Sequence, residues 1–161
     1  MIAAKQSDRL IGFFRNMLSF YRDFLAFEQE KHGVILAGDF AKLDAALKRE
    51  QAFTLKARGL ESEREKLLRE AGASGGTFRE LIPQIDLSRQ DEMRGLYEEL
   101  SKTVGDIRQI NERSDRMIRV NLARVSKTVS QLEGNPELKQ IYKEKDFKGE
   151  PGRESTFSRK I

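Results

Sequence analysis

From Ser88 to Leu132 the chain carries a single apolar stripe at helical spacing, and this stretch limits what the protein can fold into. Met93, Leu96, Leu100, Val104, Ile107, Ile110, Met117 with Ile118, Asn121 with Leu122, Val125, Val129 and Leu132 recur every three or four residues. The stretch has no proline, and its glycines, Gly95 and Gly105, are isolated. At 1.5 Å per residue it predicts a helix of roughly 65 Å, too long to be enclosed by a compact small domain. Such a helix needs a partner along its length, from its own chain or from another.

The rest of the chain is suited to supplying part of that partner. Charged residues make up 35% and hydrophobic residues 38% of the 161 positions. That is little core material for a globule but enough for long helices that each bury one face. A first helix is predicted from about Ser7, read as its cap, to Leu36, with residues 1–6 frayed. It has the apolar positions Leu10, Ile11, Phe14, Met17, Leu18, Tyr21, Phe24, Leu25, Ile35 and Leu36, widened by Phe13, Phe20 and Phe27. An aromatic stripe at this spacing reads as core. Gly38-Asp39 is a joint: glycine suits the left-handed end of one helix and aspartate the N-cap of the next. The second helix is predicted over about 40–71, with Phe40, Leu43, Ala46, Leu47, Phe53, Ala57, Leu60, Leu67 and Leu68 as its stripe. Its charged segment Glu61 to Lys66 is expected to stand in solvent. So short a turn forces the two helices into an antiparallel hairpin.

Gly72 to Gly76 is a flexible connector. It is not a phosphate loop, because a helix precedes it and Thr77-Phe78 follows where that motif needs Lys and Ser or Thr. Thr77-Phe-Arg-Glu80 forms a capping box opening a short helix over 78–82. Phe78, Leu81, Ile82 and Ile85 are expected to close one end of the bundle, and Pro83 and Asp86 to break the chain before the long helix over 88–132. The expected fold is therefore all-α: an elongated antiparallel helical bundle or coiled coil of three long helices plus one short connecting helix, over 1–133. Gly134-Asn-Pro136 stops the last helix, and 134–161 reads as a flexible tail unable to bury enough surface to fold alone.

Enzymatic constellations are nearly absent. There is no cysteine, and the one histidine, His32, has no second histidine to share a metal and the wrong spacing from Glu28. A solvated or hydrogen-bonded His32 is the better reading. The serines lack His/Asp partners, no carboxylate pair stands apart from the helical charge pattern, and no cofactor is expected. The net charge of +4 is small against 30 basic and 26 acidic residues. Arg108, Arg113, Arg116, Arg119, Arg124 and Lys127 interleave with Asp106, Glu112 and Asp115, which suits a solvated face better than a nucleic-acid or membrane surface. No apolar run approaches the roughly 18 residues needed to cross a bilayer, and no signal peptide is seen, so a cytoplasmic protein without membrane insertion is expected.

Polar residues interrupt the stripe of the long helix. Asn111, Ser114 and Asn121 lie on or beside the seam of Ile107, Ile110, Met117, Ile118, Leu122 and Val125. In a coiled coil such residues fix register. On a helix not permanently buried they would instead meet the polar groups of an incoming helix, beside adaptable Met117. Length favours the second reading, because helices of thirty residues cover only roughly 45 Å of one near 65 Å. The expected partner-binding face is Ile110, Asn111, Ser114, Met117, Ile118, Asn121, Leu122, Val125 and Val129, projecting from about Asn111 to Leu132.

The sequence resembles the FlgN family of flagellar type III export chaperones over most of its length. The resemblance rests on the aromatic-rich first helix, Leu36-Ala-Gly-Asp-Phe40 leading into a charged second helix, Thr77-Phe-Arg-Glu-Leu-Ile-Pro83, and Ile110-Asn-Glu-Arg-Ser114 followed by Met117-Ile118, Asn121-Leu122 and Val125. Ser114 stands where the family more often has a second Asn, and Tyr142 and Gly149 in the tail also match. The resemblance implies a cytoplasmic chaperone whose C-terminal part, here including Tyr142, binds the C-terminal helical region of secreted hook-associated proteins of the hook–filament junction. It would prevent their premature assembly and deliver them to the export apparatus, with an export-gate component as a further partner. The competing reading is a self-associating coiled-coil scaffold, a homodimer through the same stripe.

Overall fold

The computed structural model describes residues 1–73 and 76–131, and among these every regular element is helical. Helix α1 spans Ala4–Ala37, α2 Phe40–Glu70, α3 Phe78–Leu81 and α4 Gln90–Gln131. Short 3₁₀ turns at Ile82–Gln84 and Leu87–Arg89 link α3 to α4.

The joints follow local chemistry. Gly38 adopts φ 68°, a left-handed conformation that a side chain would strain. Asp39 Oδ1 accepts from the Lys42 N–H at 3.1 Å and caps α2. Gly72, at φ 73°, ends α2 in the same way. The Thr77 hydroxyl accepts from the Glu80 N–H while the Glu80 carboxylate accepts from the Thr77 N–H, completing the capping box.

Helix α1 is the shared central helix, packed on α2 along one side and most extensively on α4 along the other. Leu10, Phe14, Met17, Tyr21 and Phe24 are all buried, as are Phe13, Phe20 and Phe27. From α2, Phe53 lies against Phe24 and Phe27, with ring centroids 5.0 and 4.9 Å away. The α2 contribution is otherwise thin: Ala46, Ala57, Arg64 and Leu68 are its buried residues. Phe40 and Leu47, expected in its stripe, are exposed, because α2 packs mainly on α1 and by a narrow set of residues.

Helices α1 and α4 run parallel, and α2 runs antiparallel to α1. Cross-links between Asp8 and Arg89 just before α4, then Arg15 and Glu92, Arg22 and Glu99, and His32 and Ser114 climb α1 and α4 in step. The exposed ion pairs among them fix register more than they stabilise, each contributing about 0–1 kcal/mol.

Three expectations about the ends need correction. Residues 1–6 are not frayed: Ile2 is buried, its N–H donates to the Gln84 carbonyl at 2.6 Å, and α1 starts at Ala4. Ser7 is not the cap; it is buried, its hydroxyl donating to the Ile2 carbonyl and accepting the Asp86 N–H. Likewise Ser88 falls in a 3₁₀ turn, and α4 begins at Gln90 with Asp91 and Glu92 in its first turn. The Glu61 to Lys66 segment is not wholly solvated either, since Arg64 is buried and forked onto Glu61 at 2.6 and 3.0 Å. Phe78, Leu81, Ile82 and Ile85 are buried and close the base, Phe78 lying 4.2 Å from the Phe14 ring. The tail expected over 134–161, with Leu132, lies outside the described residues.

Candidate client-docking face

The α1 side of the bundle ends at Ala37, whereas α4 continues to Gln131. His32 pairs with Ser114, so the parallel register puts the end of α1 opposite about Arg119. Roughly twelve residues of α4, about 18 Å, therefore run past α1. On this overhang Asn121, Leu122, Val125 and Val129 are half-buried, and so are Met117 and Ile118 just before it. They continue the face that buries Met93, Leu96, Leu100, Val104 and Ile107 lower on the same helix.

The projecting face thus starts later than Asn111. Ile110 is half-buried within the bundle. Ser114 is fully buried, its Oγ 3.0 Å from His32 Nδ1. Asn111 Oδ1 accepts from Lys31 Nζ at 3.3 Å. The last turns of α1 reach over both residues, so their polar groups are satisfied within the chain. Of the predicted face, Met117, Ile118, Asn121, Leu122, Val125 and Val129 stand together at and beyond the end of α1. Tyr142 lies outside the described residues.

Beneath the overhang is a polar layer that sequence reasoning did not find. Lys31 Nζ lies 2.8 Å from Glu28 Oε2, 2.9 Å from Glu50 Oε1 and within reach of Asn111, so one ammonium joins α1, α2 and α4. Lys31 is 4% exposed and Glu28 0%. The Glu28–Lys31 contact is an ion pair without the alignment of a hydrogen bond, and neither Glu28 oxygen has a hydrogen-bond partner among the described residues. Burial raises the Glu28 carboxyl to about 7; Lys31 opposes the rise and Glu50 adds to it. Burial would lower Lys31, but the Glu28 and Glu50 carboxylates outweigh it and hold the ammonium above its ordinary value. Asp115 is also raised, by burial first, against the pull of Lys31 and Arg119. One sequence signal was there: Glu28 and Lys31 continue the spacing of Phe24 and Ile35, charged residues on an apolar stripe.

This layer has a pH signature. Between pH 4.5 and about 7 the folded Glu28 holds a proton that the unfolded chain has released, so stability falls as pH rises through that window. Asp115 acts in the same direction, whereas Asp8 and Asp86, both lowered, lose their contributions only below their ordinary value of 3.8. Melting temperature is therefore expected to drop from pH 5 to pH 8, and Glu28→Gln to flatten that slope. A melting temperature that rises over this range, unchanged by the substitution, would contradict the assignment.

Among the described residues, no group of three or more His, Cys, Asp or Glu side chains could hold a metal ion. No helix there is long and apolar enough to cross a membrane. The recognisable features are helix-packing surfaces. Compared with known families, residues 1–146 match the family model described as FlgN protein. Neither the curated proteins nor the solved structures contain a match.

Proposed function

The chain belongs to the FlgN family of flagellar export chaperones, and on that premise we propose that it works in the cytoplasm on secreted hook-associated proteins. It binds their C-terminal helical region, keeps them from assembling before export, and delivers them to the type III export apparatus. The observation that carries this reading is the mismatch between α1 and α4: an apolar stripe continues along α4 after α1 has stopped covering it. A client helix laid along Met117 to Val129 takes the position α1 holds lower down. Burial at about 25 cal/mol per Å² of apolar surface supplies the affinity, less the cost of ordering the client. Client held in this way has its assembly surface occupied, with no bond-making step and no nucleotide.

The scaffold reading gains less support. It gave the seam asparagines, Asn111 and Asn121, the task of setting register between copies, and Asn111 already has a partner within the chain. Calorimetric titration of the full chain against each candidate hook-associated protein tests the proposal. A saturable complex is expected with the intact client and none with a client lacking its C-terminal helical region. No complex with any intact client would overturn it.

A further inference from the structure

The outer side of α4, turned away from its apolar stripe, carries an ordered charge pattern near the end of the helix. Val120 is an exposed apolar side chain there. Arg113, Arg116, Arg124 and Lys127 stand seven and four residues before it and four and seven after it, and all four are exposed. At 100° per residue, each falls within about 40° of Val120. Together they make an arc roughly 21 Å long, opposite the Ile118, Leu122, Val125, Val129 stripe. No acidic residue occurs from Arg116 to Gln131. Glu112 lies about 80° from Val120 and Arg119 about 100°, where the charge of Arg119 acts on Asp115. None of the four arc cations makes an ion pair or a side-chain hydrogen bond among the described residues. Lower in the bundle, by contrast, Arg15, Arg22, Arg89 and Arg94 each have a carboxylate partner.

We propose that this arc docks an acidic helix of a second protein, one whose central apolar side chain is flanked by Asp or Glu at the same spacing of four and seven. The arc lies about 170° round the helix from the client-docking stripe, so the two surfaces work independently and the end of α4 can hold both partners at once. Acidic chemistry is favoured because four unpaired cations gather where no carboxylate answers them. A helix is favoured because steps of four and seven are those at which a helix laid alongside presents its own side chains. A protein is favoured over a phosphate surface by Val120, since an apolar centre inside a charged rim suits another side chain. Lower on the same outer side stand Asp91, Glu98 and Asp106. A nucleic-acid duplex or an anionic membrane laid along α4 would meet these carboxylates, whereas a short helix stops before them. A second copy would bring that acidic stretch, but Glu98 and Lys102 stand in it with no apolar side chain to meet Val120. Residues 132–161 carry seven basic and six acidic side chains, so the chain's own end offers no complementary sign.

Three synthetic helical peptides test this with the full-length chain. The first carries Leu with Glu at i−7, i−4, i+4 and i+7; the second has Gln for each Glu, and the third Ala for the Leu. Fluorescence anisotropy is expected to give about tenfold tighter binding of the first peptide than of the second at low salt. That preference should shrink toward equality at about 0.5 M salt. The third peptide should bind more weakly than the first at both salt concentrations. The Arg116→Glu/Arg124→Glu variant should lose the preference for Glu while its circular dichroism and its affinity for a hook-associated client stay at wild type. Equal binding of the Glu and Gln peptides, or no binding of either, would overturn the proposal. So would loss of the Glu peptide in Leu122→Glu but not in the double Arg variant, which would put the peptide on the client stripe. Loss of client affinity together with the Glu preference would overturn the separation of the two surfaces. Tighter binding to phosphatidylglycerol vesicles or duplex DNA than to the Glu peptide, or a dimer in sedimentation that the double Arg variant abolishes, would overturn it by naming a different occupant.

Discussion

Lys31→Met is expected to destabilise the bundle by about 3–5 kcal/mol, a large part of the total for a small domain. The lost ammonium leaves Glu28 fully buried beside Glu50, with Asn111 deprived of a donor. Coulomb attraction between exposed ion pairs is screened by water, but here nothing replaces the lost counter-charge except a proton on Glu28. The defect should accordingly be milder at pH 5 than at pH 8, because burial already favours the neutral carboxyl. Urea unfolding at the two pH values measures both effects. Adding Glu28→Leu should recover most of the loss, since a buried pair exchanged for apolar side chains is often neutral. A Lys31→Met change below about 1 kcal/mol at pH 8 would mean that water reaches the layer and the charge is not buried.

Leu122→Glu is expected to weaken client binding on the order of 100-fold while leaving the helical signal and the unfolding midpoint near wild type. Leu122 lies in the middle of the overhang stripe, where a central apolar anchor truncated or charged costs upwards of about 2 kcal/mol. Leu122 lies beyond the end of α1, outside the seam that α1 covers. Met117→Glu should act in the same direction. Val120 is 46% exposed and falls away from the stripe, so Val120→Glu serves as the control and should change affinity little. Titration of each variant against an intact hook-associated client checks this. Equal affinities for Leu122→Glu and Val120→Glu would remove the overhang from the binding site.

The joints were readable because their chemistry is local. Gly38-Asp39 and Thr77 to Glu80 announce a stop and a start within a few residues, and the chain obeys them. The aromatic stripe of α1 was readable as core for a similar reason, being strongly periodic. The first residues were misjudged because Ile2 is fixed by Gln84, more than eighty positions away. Likewise Phe40 and Leu47 fit the helical period of α2 but stay exposed, since α2 packs mainly on α1. The excess length of the last helix was visible from its periodicity. Where its open part begins was not, because that depends on the parallel register that puts His32 on Ser114. The charged layer was hidden for the same reason: Glu50 joins Lys31 only once the hairpin has closed.

The parallel run of α1 and α4 also governs the order of events during synthesis. Partners across that seam are separated by 77 to 82 residues in sequence. Loops of that size close late, after the α1–α2 hairpin has had time to form. Until residues up to about 107 have left the ribosome, Leu10, Phe14, Met17 and Tyr21 lack the helix that covers them. A member of a chaperone family thus passes through a stage of its own in which an aromatic face lies open, the kind of surface that makes a stalled nascent hairpin prone to aggregate.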